Sequence, residues 1–255
     1  MIRLKERSGL DLALDGARLL LGPDLTPVVP AVRTLEAARY TFYEPEATGP
    51  EILYWMYRSV ARLADVKKLQ ELGLNYNITV IRPGLVGREF IKTVGHYHAA
   101  KPETDVAYPE VYEVLAGEAT FLLQRRAINA ADIGDVVVIT AHPGDKVVMP
   151  PGYGHITINA SDDYLVMSDL MAAANQSDYA EYRTRQGGAY YLIKERSEAW
   201  VRNRHYQDAP PLRRLRPRDY PEFGLYRSQP LYALLVDNPQ ALRFLTHPEE
   251  YEFCL

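Results

Sequence analysis

Between Asn75 and Asp169 the apolar residues fall into short, β-rich runs with turn residues between them. The runs are 77–81, 89–94, 110–115, 117–124, 135–139, 146–149, 155–159 and 164–169. Turns are read at Pro83-Gly84, Ala116-Gly117, Ile133-Gly134 and Pro143-Gly144. Strands at this even spacing predict an all-β sandwich or barrel, not βαβ units. Eight strands in about 95 residues is the size of a jelly roll.

Outside this region the pattern is mixed. Residues 1–50 carry many Gly and Pro turn signals around two short strands, 18–21 and 27–32. They read as an arm packed on the main body or on a partner subunit. The run 52–57 is rich in strand formers, and 59–72 repeats apolar residues at near-helical spacing up to a stop at Gly73. Further on, 178–185 reads as a short helix and 188–194 as a strand. Pro210-Pro211 and the basic residues Arg213, Arg214, Arg216 and Arg218 read as an exposed linker before an apolar run at 231–236. The expected organisation is an N-terminal arm over 1–50, a mainly β domain over 51–200 and a partly helical C-terminal extension over 201–255.

Composition narrows the function classes. A chain of 255 residues can bury a substantial core without staples. A net charge of −4 argues against a general nucleic-acid binder. The single cysteine, Cys254, excludes a disulfide within the chain and a cysteine-based zinc site, and fits a reducing cytoplasm. No run of 18 apolar residues occurs, and 10–21 is broken by Asp11, Asp15 and Arg18, so neither a membrane span nor a signal peptide is expected. Nineteen Tyr against six Phe leave room for a few tyrosine hydroxyls in a polar cavity, with most at surfaces.

The candidate chemistry sits at Thr93-Val94-Gly95-His96-Tyr97-His98. Strand residues alternate faces, so His96 and His98 would project to one side. Glu110 opens a second run and His155 a third. Imidazole and carboxylate together suit a divalent first-row transition metal. Three His and one Glu would leave coordination positions open, as a catalytic metal needs. The other histidines read as bland: His142 as a turn residue, His205 and His247 as surface. Asn159 reads as a structural hydrogen bonder.

These residues carry a resemblance. Gly144, Pro150, Gly152, His155 and Asn159 match the second motif of the cupin superfamily, G-x5-P-x-G-x2-H-x3-N. His96-x-His98 and Glu110-x6-Gly117 match the first, with two departures: the leading Gly stands directly before His96, and eleven residues separate His98 from Glu110. That insertion, 99–109, must loop out if both strands are to face one metal. Within the superfamily the chain resembles the cupin-type phosphoglucose isomerases found chiefly in archaea. Thr-Val-Gly-His-Tyr-His at 93–98, Pro-Glu-Val-Tyr-Glu-Val-Leu-Ala-Gly at 109–117 and Pro-Pro-Gly-Tyr-Gly-His at 150–155 carry the likeness, which covers roughly residues 50 to 195.

The resemblance implies a single cupin jelly-roll barrel and interconversion of glucose 6-phosphate and fructose 6-phosphate in glycolysis and gluconeogenesis. It implies one divalent ion per subunit on His96, His98, Glu110 and His155, with Fe2+ the leading choice and Mn2+, Zn2+ and Ni2+ open. Sugar-phosphate contacts carry over to Thr79, Thr93, Gly95 and Tyr112, and a later one to Tyr179. Catalytic roles fall to Glu110, as ligand and base, and to Tyr112 and Tyr179 as proton relays; a hydride shift between C1 and C2 is the alternative to Glu110 as base. Arg88 or Lys92 could add charge near the phosphate, although Lys92 has the opposite parity to Thr93 and is expected to point outward. The partners implied are a sugar phosphate and a second copy of the chain, with neither nucleic acid nor membrane. A cupin oxygenase and a non-enzymatic sugar-binding cupin stand as the other readings.

Overall fold

The computed structural model describes residues 1–127 and 133–255. Its frame is a pair of sheets. The larger has six strands in the order Lys146–Met149, Glu110–Ala116, Leu165–Ala172, Leu74–Ile81, Ile52–Tyr57, Ala31–Thr34. The smaller has four, in the order Tyr153–Ile158, Ala119–Arg126, Ile133–Ala141, Arg213–Leu215. All neighbours are antiparallel except the last pair. Between the sheets lies one apolar core, with Tyr112, Val114, Leu165 and Met167 from the larger sheet against Phe121, Leu123, Val137 and Ile139 from the smaller. The fold is mainly β and of jelly-roll type, as the run pattern predicts.

The larger sheet is covered on its other face as well. Val111, Leu115, Tyr76, Ile78, Val166 and Leu170 point away from the first core into a second. That second core is completed by Leu4, Leu10, Leu12 and Leu14 from the N-terminal segment and by Leu231, Leu235 and Phe244 from the C-terminal one. Burial on both faces explains why the central strands read as near-continuous apolar runs instead of clean alternation. Glu113 is a buried carboxylate on this face. It pairs with Lys146 at 2.8 Å and accepts from the main chain of Leu231 at 2.9 Å, at the first residue of the helix Leu231–Asp237.

Several expected elements shift, each for a local reason. The strand expected at 27–32 forms as Ala31–Thr34, since Pro27 and Pro30 have no N–H to give a ladder. Gly117 takes φ +80° in the turn, so the next strand begins at Ala119. Ile133 and Gly134, expected in a turn, open the strand Ile133–Ala141. The helix expected over 59–72 is confined to Val66–Leu72 after a 3-10 turn. The basic run is not a free linker: Arg213–Leu215 adds to the edge of the smaller sheet, and Arg213 donates twice to Asp135 at 2.9 and 2.7 Å. Among the described residues no helix is long and apolar enough to cross a membrane.

The run 89–94 departs furthest. Only Glu89–Phe90 is regular strand, and the chain then meets the smaller sheet through single bridges, Lys92 to Ile158 and His96 to His155. Lys92 does not point outward. Its side chain is fully buried, 3.4 Å from the equally buried Glu89. Its ammonium donates to the Thr41 carbonyl at 2.7 Å and lies 4.0 Å from the centre of the Phe42 ring. Glu89 in turn accepts from the Tyr43 main chain at 2.7 Å. Burial pushes the Glu89 carboxyl up to about 7 against the pull of Lys92. This pair pins 41–43 behind the segment that carries the candidate site.

Candidate metal centre and substrate cavity

The first two histidines are placed by a backbone that only glycine allows. Gly95 takes φ +83°, and a Cβ there would stand 2.5 Å from Ile156 Cγ1 and 2.7 Å from the Tyr182 ring. The turn delivers His96 to a two-way main-chain pairing with His155, at 3.3 and 3.0 Å. His98 follows in a two-residue strand, Tyr97–His98. The 99–109 insertion does loop out, folding back through an Ala100–Ala107 bridge. Its return places the Tyr108 carbonyl 2.8 Å from His98 Nδ1. Gly95→Ala is therefore expected to cost ~2 kcal/mol of stability through φ strain and overpacking. It should also weaken metal binding by displacing His96; thermal melts and a metal titration check both, and a variant that keeps native affinity would contradict this placement.

His96, His98, Glu110 and His155 offer ligand atoms that all lie within 4.8 Å of one another. His96 Nε2 and His98 Nε2 are 3.2 Å apart. Glu110 Oε2 lies 3.2 Å from His98 Nε2 and 3.1 Å from His155 Nε2. His98 Nδ1 donates to the Tyr108 carbonyl, which leaves Nε2 facing the other ligand atoms. Burial and the neighbouring histidines keep His96 well below its usual range, and burial lowers His155. Burial alone would raise the Glu110 carboxyl, but contacts with His155 and His98 outweigh it and hold it well below the usual range. Three imidazole nitrogens and a carboxylate oxygen thus converge on one point. Separations near 3 Å are those of neighbouring ligands on an ion with bonds of about 2.1 Å. The donor set fits a divalent metal.

The centre forms part of the wall of a cavity of about 310 Å³. Thr79, Thr93, Gly95, Tyr112 and Tyr179 line the same cavity as His96 and Glu110, while His98 and His155 complete the cluster of ligand atoms without lining the cavity. Thr93 Oγ1 accepts from Thr157 N at 3.0 Å, which leaves its proton free to donate. The Tyr112 hydroxyl is 3.3 Å from His155 Nε2, and burial with the Glu110 charge raises it well above its usual range. The Tyr179 ring lies 5.3 Å from that of His96. Arg88 is outside the cavity, paired with Glu44 and Glu195.

Sequence reasoning missed a second polar group here. Asp169 faces the cavity opposite Tyr112 and accepts from Asn77 Nδ2 at 2.6 Å. Burial, with the charge of Glu110, pushes its carboxyl up to about 8. Arg58 lies at the rim. An aspartate and an asparagine at inward positions of otherwise apolar strands were the available signal.

Comparison with known proteins bears on this site. The family model described as "Glucose-6-phosphate isomerase (GPI)" matches residues 28–210. A glucose-6-phosphate isomerase of Thermococcus litoralis is 30% identical over 179 residues, 68% of this chain and 85% of that protein. One from Pyrococcus abyssi is 33% identical over 132 residues, 52% of this chain. That match spans 64% of the Pyrococcus protein, less than two thirds of its length. Among solved structures, one of oxalate oxidase overlays 46% of this chain and 49% of its own, at 14% identity and a TM-score of 0.34.

Proposed function

The chain belongs to the glucose-6-phosphate isomerase family, and from that premise we propose that it is a metal-dependent isomerase interconverting glucose 6-phosphate and fructose 6-phosphate. One observation supports this most: the three-histidine, one-glutamate centre shares a cavity with the Thr79, Thr93 and Gly95 donors. A reacting end and a phosphate end then fall in one enclosed space. His96, His98, Glu110 and His155 would hold the ion, with Fe2+ the first choice over Mn2+, Zn2+ and Ni2+. When bound, the ion supplies Lewis-acid polarisation of the sugar oxygens at C1 and C2.

The side chains divide the remaining work. Thr79, Thr93 and the Gly95 main chain bind the non-reacting phosphate, and that remote binding fixes the reacting carbons. Glu110 takes the proton from one carbon and returns it to the other. Tyr112 and Tyr179 hold protons at the oxygens. The depressed pKa of Glu110 favours a second reading, in which hydrogen passes directly between C1 and C2 and Glu110 is only a ligand. We also read the protein as a cytoplasmic homodimer. Support for the dimer comes from Ala31–Thr34, which ends the larger sheet among the described residues, with Val32 on it and Val29 before it exposed.

The test is conversion of fructose 6-phosphate to glucose 6-phosphate under argon. An isomerase turns over without oxygen, and an oxygenase does not. Performed in D2O, the reaction should place deuterium at C2 of the product; full retention of hydrogen would replace Glu110 as base with the direct shift. Failure of the metal-loaded protein to turn over at all would remove the isomerase reading.

A further inference from the structure

Arg58 is the one Lys or Arg side chain lining the cavity, among the described residues. It is exposed, and no described carboxylate lies within 4.0 Å of it. Among the described residues its guanidinium donates to Met56 Sδ at 3.4 Å, a weak acceptor. It lines the cavity together with Tyr54 and Met56, the alternate residues of the strand it follows. An arginine at a rim usually folds onto a carboxylate; this one faces a cavity instead.

The backbone under it is fixed at a cost. Ser59 adopts φ +54°, a left-handed conformation that a serine does not choose freely. Asn77 Oδ1 accepts from Ser59 N at 3.0 Å, and Asn77 Nδ2 donates to Asp169 Oδ2 at 2.6 Å. Asp169, Asn77 and the Ser59 main chain form a ladder across neighbouring strands, from the centre of the larger sheet to the turn that carries Arg58. Thr79, Thr93 and Gly95 offer hydrogen-bond donors but no charge. The carboxyl groups of the cavity, Glu110 and Asp169, offer a phosphate no positive charge. A phosphate dianion entering this space lacks a fixed cation away from the metal centre unless Arg58 supplies it.

We propose that Arg58 is a further substrate-binding residue, receiving the non-reacting phosphate at the cavity rim, with Asn77 and Asp169 positioning the turn that bears it. This rests on the isomerase reading. A guanidinium presents two parallel N–H donors to phosphate oxygens and gives a charge-assisted contact that a neutral hydroxyl cannot match. Because Arg58 is exposed, its replacement should leave the fold intact.

The experiment measures fructose 6-phosphate kinetics, and inhibition by inorganic phosphate, for metal-loaded wild type, Arg58→Met, Arg58→Lys and Asn77→Ala. Loss of one charge-assisted contact should raise KM roughly 10- to 100-fold in Arg58→Met, with kcat changed much less. Phosphate inhibition should weaken in parallel, and Arg58→Lys should recover part of both. Asn77→Ala should move KM in the same direction, by less. If wild type turns over while Arg58→Met keeps its KM and its phosphate inhibition, the inference is overturned and the isomerase reading stands. If wild type does not turn over, that reading fails. Calorimetric binding of fructose 6-phosphate then decides Arg58 separately, with loss of binding in Arg58→Met supporting the inference and retention overturning it.

Discussion

Removing the metal, or replacing His155 with Ala, is expected to lower fructose 6-phosphate turnover by roughly 10³-fold or more, since several kcal/mol of charge stabilisation disappear at the reacting oxygens. The geometry makes the effect steep. His155 is buried, touches Glu110 at 3.1 Å and pairs through its main chain with His96. Loss of its imidazole removes a ligand and leaves the buried Glu110 carboxylate with one neighbour fewer. Metal content per subunit, measured beside activity, separates a lost ion from a misplaced one. Adding back Fe2+, Mn2+, Zn2+ or Ni2+ to stripped wild type should restore rate, and His155→Ala should respond weakly or not at all. His142→Ala is the control, because that histidine is exposed at a turn against Glu118. Full activity in thoroughly stripped protein would end the metal-dependent reading.

Lys92→Met should destabilise the fold by about 3–5 kcal/mol near pH 8, the cost of breaking a buried ion pair from one side. The ammonium is the counter-charge to Glu89, and nothing else cationic faces that carboxylate within ion-pair distance among the described residues. The pH dependence gives the test its sign. Burial lifts the Glu89 carboxyl from 4.5 in the unfolded chain to about 7. A group raised in this way favours the folded state fully below about 4.5 and loses that contribution as pH rises through about 7. Without Lys92 the folded pKa rises further, so the gap between wild type and variant should widen from pH 5 to pH 8. Urea unfolding at the two pH values measures it, and Lys92→Met combined with Glu89→Gln should recover most of the loss. An equal deficit at both pH values would mean that packing, not charge, carries the effect.

The metal centre was legible because its chemistry is concentrated in short motifs. His96-x-His98, Glu110 and His155 are rare residue types at set spacings, and each opens or ends an apolar run whose periodicity survives without context. Parity also placed Tyr112 and Glu110 on one face, where both line the cavity. For Lys92 the same parity argument identified the correct side of the chain and the wrong surroundings. Opposite to Thr93 lies not water but Thr41, Phe42 and Glu89. Alternation says which way a side chain points, and only the packed chain says what covers that direction.

The sequence by itself determined the β-rich jelly roll, the four candidate ligands and the looping-out of 99–109. Those features follow from local backbone preference and from short apolar runs spaced evenly between turns, which act over a few positions. The tertiary structure alone decided the rest. It set Arg213–Leu215 onto a sheet edge against Asp135 and brought the N- and C-terminal segments together over one face of the larger sheet. It also joined Asp169 to Asn77, 92 positions apart, beneath the turn that holds Arg58. Contacts between segments so distant in sequence depend on which strands pair and in what register, and no local pattern carries that information.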